Sequence, residues 1–95
     1  MHIEMSGYHC PGRYLEFPCD FPIKAMGSAM PGFTDQVVAI VSQHVSQVPD
    51  HAIRSTLSRT GKYLSVTVVI TATSRIQLDN IYRELSACDN VIIAL

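Results

Sequence analysis

Long apolar runs are missing from this sequence of 95 residues. The longest one, at positions 66–72, is interrupted by Thr67 and Thr71 and is far shorter than the roughly 20 residues that cross a bilayer. The first residues also lack the basic segment and apolar stretch of a secretory signal. We therefore expect no membrane span and a cytoplasmic protein.

Cysteines are few. Cys10, Cys19 and Cys88 are odd in number and widely spaced, which favours reduced thiols over a disulfide framework. His2 and His9 lie near Cys10, but no CxxC or HxxxH pair supplies two ligands of a tetrahedral metal site. We therefore expect neither a metal nor a cofactor.

Charge is also sparse. Charged residues make up 16% of the chain, the seven Lys and Arg residues are scattered, and the net charge is −1, which disfavours strong nucleic-acid binding. Hydrophobic residues, at 47%, place the chain among folded globular proteins. A chain of this length suits one core, so residues 15–95 are predicted to form a single domain. Residues 1–14 lack apolar periodicity and are predicted to be a flexible tail.

Apolar periodicity predicts a strand and then a helix in the first half of the chain. Side chains alternate between two faces over residues 21–27, which is the period of a strand. Pro31 suits the first helical turn because its φ is fixed and it has no N–H to leave unpaired. The helix is predicted to extend to about residue 45. Its apolar face consists of Phe33, Val37, Ile40 and Val41, with Val48 beyond its end.

Two strands, a helix and a last strand are predicted in the second half. Residues 52–58 and 63–72 have the composition of strands, and the glycine-containing connection between them is typical of a hairpin. Ser74, followed three residues later by Gln77, forms a capping box that opens a helix. Residues 91–95 are predicted to form the last strand.

The order of these elements predicts an α+β fold of the ferredoxin-like βαββαβ type. Right-handed crossovers place both helices on one face of an antiparallel four-stranded sheet with the strand order 4-1-3-2. This two-layer sandwich leaves the other face of the sheet uncovered, as an interaction surface. That face is predicted to present Lys24, Met26, Arg54, Thr56, Ser65, Thr67, Val69 and Ile92.

Several short motifs follow one another as they do in the YbeD family of small bacterial proteins. They are LEFP at 15–18, KAMG at 24–27, DQVV at 35–38, GKYLSV at 61–66 and YREL at 82–85. With these motifs the chain resembles that family from about residue 15 to its end. The resemblance implies a cytoplasmic ferredoxin-like domain similar to the ACT-type regulatory domains that sense amino acids. Members are often encoded beside a lipoyl or octanoyl transferase, which implies a link to lipoate metabolism.

A second resemblance concerns the turn before the first helix. Met30, Pro31, Gly32 and Phe33 resemble the turn at which ACT domains hold an amino acid, with Ala29 where those domains usually carry an acidic residue. Glycine lets a ligand approach the backbone, and the free N–H groups of a helix N-terminus attract a carboxylate. We hypothesise that a small anionic metabolite binds here. The alternative is an ordinary first helical turn.

The leading hypothesis is a non-catalytic regulatory or adaptor domain that associates with a protein partner or with itself as a homodimer. Two alternatives stay open. The first is an enzyme that uses His44 for proton transfer, although no Ser or Cys nucleophile is tied to it by spacing, and a packed or capping histidine is the other interpretation. The second is an RNA-binding module with Arg54, Arg59 and Lys62 as a small basic cluster and Tyr63 as the one aromatic residue of the third strand.

Overall fold

Four strands and two α-helices lie along residues 16–95, the part of the chain that the computed structural model describes. The elements are β1 (Cys19–Ser28), α1 (Phe33–Ser42), a 3-10 turn (Asp50–Ala52), β2 (Ile53–Leu57), β3 (Tyr63–Ala72), α2 (Arg75–Ala87) and β4 (Val91–Ala94). The predicted tail, residues 1–14, lies outside the described residues. No helix within residues 16–95 is both long enough and apolar enough to span a membrane.

The strands form one antiparallel sheet in the order β2-β3-β1-β4. This is the predicted order 4-1-3-2 counted from the other edge, so the ferredoxin-like α+β fold is confirmed. The two central strands, β1 and β3, pair along their whole length, from Cys19 opposite Ala72 to Ser28 opposite Tyr63. The edge strands, β2 and β4, are shorter.

Both helices pack on the same face of the sheet. Alternate residues of β1 and β3 are buried on that face, and they share one cluster with the apolar faces of α1 and α2. Burying such a side chain contributes about 1.5–3 kcal/mol, so this cluster is the main source of stability. It consists of Phe21, Ile23, Ala25, Phe33, Val37, Val41, Val66, Val68, Ile70, Ala72, Leu78, Ile81 and Leu85.

The first helix is shorter than predicted at both ends. Gly32 is its N-cap and has a left-handed backbone with φ of 86°, so Pro31 lies outside the helix and the prediction that Pro31 starts it is wrong. After Ser42 the hydrogen bonding changes from the α-helical to the 3-10 pattern. The His44 N–H donates to the Val41 carbonyl oxygen at 3.0 Å, three residues back rather than four. The helix therefore ends before residue 45.

The second helix begins as its capping box predicts. The Ser74 Oγ accepts a hydrogen bond from the Gln77 N–H at 3.1 Å. The Gln77 Oε1 in turn accepts from the Thr73 N–H at 2.7 Å, and its Nε2 donates to the His44 carbonyl oxygen at 2.9 Å. Gln77 thus caps α2 and also ties its start to the chain that follows α1.

The hairpin of β2 and β3 closes at a turn with a left-handed glycine. The Ser58 N–H donates to the Tyr63 carbonyl oxygen at 2.8 Å, and Gly61 has φ of 78°. Pairing of β2 with β3 begins at Ile53, which lies opposite Val68. The last four residues of β3 therefore have β1 on one side and no residue of β2 on the other. This overhang shapes one end of the sheet.

Candidate functional site

The sheet face opposite the helices, called the open face below, carries most of the residues predicted for it. The register places Lys24 and Arg54 on either side of Thr67, in one row across three strands. Met26 lies opposite Ser65 in the next row. Because side chains alternate across a strand, these residues point away from the helices.

The β4 edge of the open face is irregular. A register shift between Met26 and Gly27 places Ile93, rather than Ile92, opposite Met26. Ile92 falls within this irregularity and is 54% exposed, while Val91 and Ala94 pack against the core, so its place in the open face stays a prediction. Backbone hydrogen bonds in both directions then pair Leu95 with Lys24, at 2.7 and 3.0 Å.

Apolar side chains remain accessible on the open face. Val69, Tyr63 and Ile93 keep 40%, 42% and 43% of their surfaces exposed. A cavity of about 100 Å³ lies between Met26, Ile93 and neighbouring residues of the central strands. Apolar, hydroxyl and basic side chains are thus mixed on one surface of the sheet.

A polar groove of about 500 Å³ lies at the β2 end of the open face. The overhang of β3 leaves space beside Val69 and Thr71, and the 3-10 turn with His51 forms the opposite wall. Arg54 and Thr67 close one end, and the lining also includes Asp20, Gln47 and Pro49. Sequence reasoning missed this groove, because it depends on where β2 begins relative to β3.

The predicted ligand turn has three exposed residues and one that belongs to the core. Met30, Pro31 and Gly32 are exposed, whereas Phe33 is fully buried. Its side chain therefore packs in the core and leaves only its backbone for a ligand. The N-cap residue makes no side-chain hydrogen bond to the first turn of α1.

Gly27 is the residue against which this turn is positioned. A side chain there would meet the Asn90 carbonyl oxygen and the Phe33 ring, whose nearest atom would be 2.6 Å from a Cβ. The Asn90 Nδ2 also donates to the Gln36 Oε1 at 2.8 Å, which joins the chain before β4 to α1. The close approach of β1, α1 and β4 thus requires glycine at this position.

His44 joins the two helices. Its Nε2 lies 3.0 Å from the Glu84 Oε1 on α2, with 18% of the histidine side chain and 42% of the glutamate side chain exposed. Its backbone oxygen accepts from Gln77, as described above. This geometry supports the interpretation of His44 as a packed histidine.

The basic residues proposed for RNA binding lie around the hairpin. Arg54, Arg59 and Lys62 are exposed, and Tyr63 starts β3 on the open face. Arg59 and Lys62 lie in the turn between β2 and β3, whereas Arg54 lies opposite Thr67 and away from that turn, so the three do not form a continuous row of cations. Their role in binding stays a prediction.

Cysteines differ from the expectation of three reduced thiols. Cys88 is free, but Cys19 is disulfide-bonded. The expectation is wrong at Cys19 because an odd number of cysteines does not exclude one pair, and pairing depends on distance in space. Within the described part of the chain, no three His, Cys, Asp or Glu residues cluster as a metal would require.

The chain is similar to bacterial proteins of one family. Residues 13–95 match a family described as protein of unknown function (DUF493). A UPF0250 protein from Nitrosomonas europaea is 48% identical over 71 residues, covering 75% of this chain and 82% of that protein. A UPF0250 protein from Paraburkholderia phytofirmans is 44% identical over 81 residues, covering 85% of this chain and 91% of that protein. These relatives confirm the family resemblance predicted from the sequence.

One solved structure has the same fold. The solution structure of protein HP0495 from H. pylori matches with a TM-score of 0.65 and covers 100% of this chain and 97% of that chain. The two sequences are 16% identical. This likeness supports the fold and carries no statement about activity.

Proposed function

The chain belongs to the DUF493 family, and we propose that it is a non-catalytic regulatory or adaptor domain that acts by association with another protein. The observation that carries this proposal is the open face. Both helices shield one side of the sheet, and the other side presents accessible apolar groups across the sheet. Association through this face would cover them.

The chemistry of the open face suits a protein partner. Aromatic residues, methionine and arginine are enriched in the centres of protein interfaces. Tyr63, Met26 and Arg54 supply these types, and Val69 adds an exposed aliphatic group. The threonine and serine hydroxyls between them can donate to or accept from a partner's backbone. A second copy of the chain is one such partner.

The test compares two variants that introduce the same charge on opposite layers. Val69→Asp alters the open face, whereas Ile76→Asp alters a side chain of α2 that is 72% exposed. Tagged full-length chains are used to retain proteins from a native bacterial extract, and sedimentation of each purified chain reports self-association. We expect Val69→Asp to lose the retained partner or the dimer and Ile76→Asp to keep it. The opposite pattern would place association on the helix layer and contradict the proposal.

The same experiment addresses the implied metabolic link. A role in lipoate metabolism is part of the proposal, and it predicts that a lipoyl or octanoyl transferase is among the proteins that only the unaltered open face retains. A cytoplasmic location also stays a prediction. Because disulfides are rare in that compartment, an alkylating reagent applied to living cells tests it: Cys19 that reacts as a free thiol supports the location, and Cys19 protected in its disulfide contradicts it.

A second proposed function is the binding of a small anionic metabolite at the turn before α1. It is favoured by the N-cap Gly32, which leaves the first amides of the helix without a side-chain acceptor. The test is thermal unfolding in the presence of amino acids and short-chain acids, with Gly32→Ala as the altered turn. A stabilisation that the variant loses supports binding there. A stabilisation by oligonucleotides that fades with salt would instead favour the RNA-binding alternative.

A further inference from the structure

The polar groove at the β2 end of the open face has the size and lining of a small-molecule site. Its volume of about 500 Å³ lies within the roughly 300–1,000 Å³ typical of ligand pockets. Val69, Ala52 and Pro49 provide apolar surface, whereas the backbone of the β3 overhang, the threonine hydroxyls, the basic groups and the Asp20 carboxylate provide polar surface. Such sites combine apolar surface with a few polar groups that fix the orientation of a ligand.

The two basic side chains that line the groove have no partner among the described residues. Within residues 16–95, neither the Arg54 side chain nor the His51 side chain makes a hydrogen bond or an ion pair. Thr67 lies opposite Arg54 in the register and also lines the groove. Asp20 lines the groove as well, and it lies four residues before the Thr67 row along β1, a backbone separation of about 13 Å at 3.3 Å per residue.

We propose that this groove binds a small organic carboxylate with a short apolar part. The Arg54 guanidinium, which presents two parallel N–H groups to a carboxylate, is the anchor. The Thr67 hydroxyl donates a further hydrogen bond, and the apolar part of the ligand lies on Val69. A phosphate dianion fits less well, because Arg54 is the only permanently charged cation among the described lining residues.

This site is distinct from the turn before α1. Ser28 ends β1 near that turn, whereas Asp20 lies eight residues earlier at the groove, which separates the two by about 26 Å along the strand. The groove shares Arg54, Thr67 and Val69 with the predicted association surface. A bound carboxylate would therefore compete with a partner on the open face. Ligand binding itself does not depend on that partner.

The experiment is a titration of the full chain, labelled with 15N, followed by the chemical shifts of its backbone amides. The probe is sodium butyrate, with butylammonium chloride as the cation of matched length and sodium phosphate as the competing anion. We expect butyrate to move the amide signals of Ala52, Val69 and Thr71, and butylammonium to leave them in place. Stronger binding of phosphate, or shifts confined to residues 30–33, would overturn the proposal.

Two variants and one control locate the anchor. Arg54→Gln removes the charge and is expected to weaken butyrate binding about tenfold or more, since a bond to a charged partner is worth more than a neutral one. Arg54→Lys keeps the charge, loses the paired N–H geometry, and should fall between Arg54→Gln and the unaltered chain. Lys62→Gln removes an exposed cation outside the groove and should leave binding unchanged. Equal loss in Arg54→Gln and Lys62→Gln would show a general charge effect and refute the site.

Discussion

Replacing Gly27 by alanine tests whether the close approach of β1, α1 and β4 is essential. The new Cβ would meet the Asn90 carbonyl oxygen and lie 2.6 and 2.7 Å from two atoms of the Phe33 ring. Carbon atoms in proteins pack at about 3.5–4.0 Å, so something has to move. The oxygen belongs to the backbone before β4, and the ring is fully buried in the core. Displacing either one therefore costs unfolding free energy.

The cost follows from these contacts. Overpacking a core usually costs about 1–3 kcal/mol of unfolding free energy. Because the new Cβ would clash with both the backbone oxygen and the ring, we expect Gly27→Ala to cost about 3 kcal/mol of unfolding free energy, the upper end of this range. Domains of this size lose about 4–8 °C of Tm for each kcal/mol, which gives a fall of about 12–24 °C. Since total stability is about 5–15 kcal/mol, the variant should still fold.

The assay is urea and thermal unfolding followed by circular dichroism. Gly61→Ala is the control, because Gly61 has a positive φ, unlike Gly27, but no atom within 4 Å of an added Cβ. Its cost should be about 1–2 kcal/mol, from the backbone alone. Adding Phe33→Leu to Gly27→Ala should recover part of the loss beyond additivity, because the shorter side chain makes room. A cost for Gly27→Ala no larger than that of Gly61→Ala would refute the reasoning.

Three further groups of substitutions test local contacts by unfolding. Ser74→Ala removes the acceptor for the Gln77 N–H and should cost about 1 kcal/mol, whereas Ser74→Asp should retain most of the stability. His44→Ala and Glu84→Ala, measured singly and together, should show a coupling of about 0.5–1 kcal/mol, because the pair is partly exposed; additive losses would mean that the bond contributes nothing. Gly32→Ala should cost about 1–2 kcal/mol from its left-handed φ alone, and a neutral result would contradict that backbone geometry.

The central strand β3 and the start of α2 could be predicted from the sequence because their signals are local. In β3, apolar residues at alternate positions meet one requirement, the burial of a single face, and Tyr63–Ala72 has the predicted bounds. At α2, the Ser74 Oγ accepts from the Gln77 N–H three residues later. Neither signal depends on residues far away in the sequence.

The start of α1 could not be predicted in the same way. Proline suits the first helical turn, but the glycine after it adopts a left-handed backbone and so excludes Pro31 from the helix. Both preferences are local, and the packing of Phe33 favours the second. Its ring fills the space that Gly27 leaves empty. This contact joins positions on two different elements, and composition and periodicity do not contain it.

The two edges of the open face show how far such contacts extend. On β4, one register shift places Ile93 opposite Met26. On β2, the strand begins opposite Val68, and the unpaired end of β3 becomes a groove beside Arg54. Periodicity determines which side of a strand a residue occupies, but not where pairing starts. The candidate ligand groove depends on where pairing of β2 with β3 starts. It can therefore be recognised only when the strands are placed side by side.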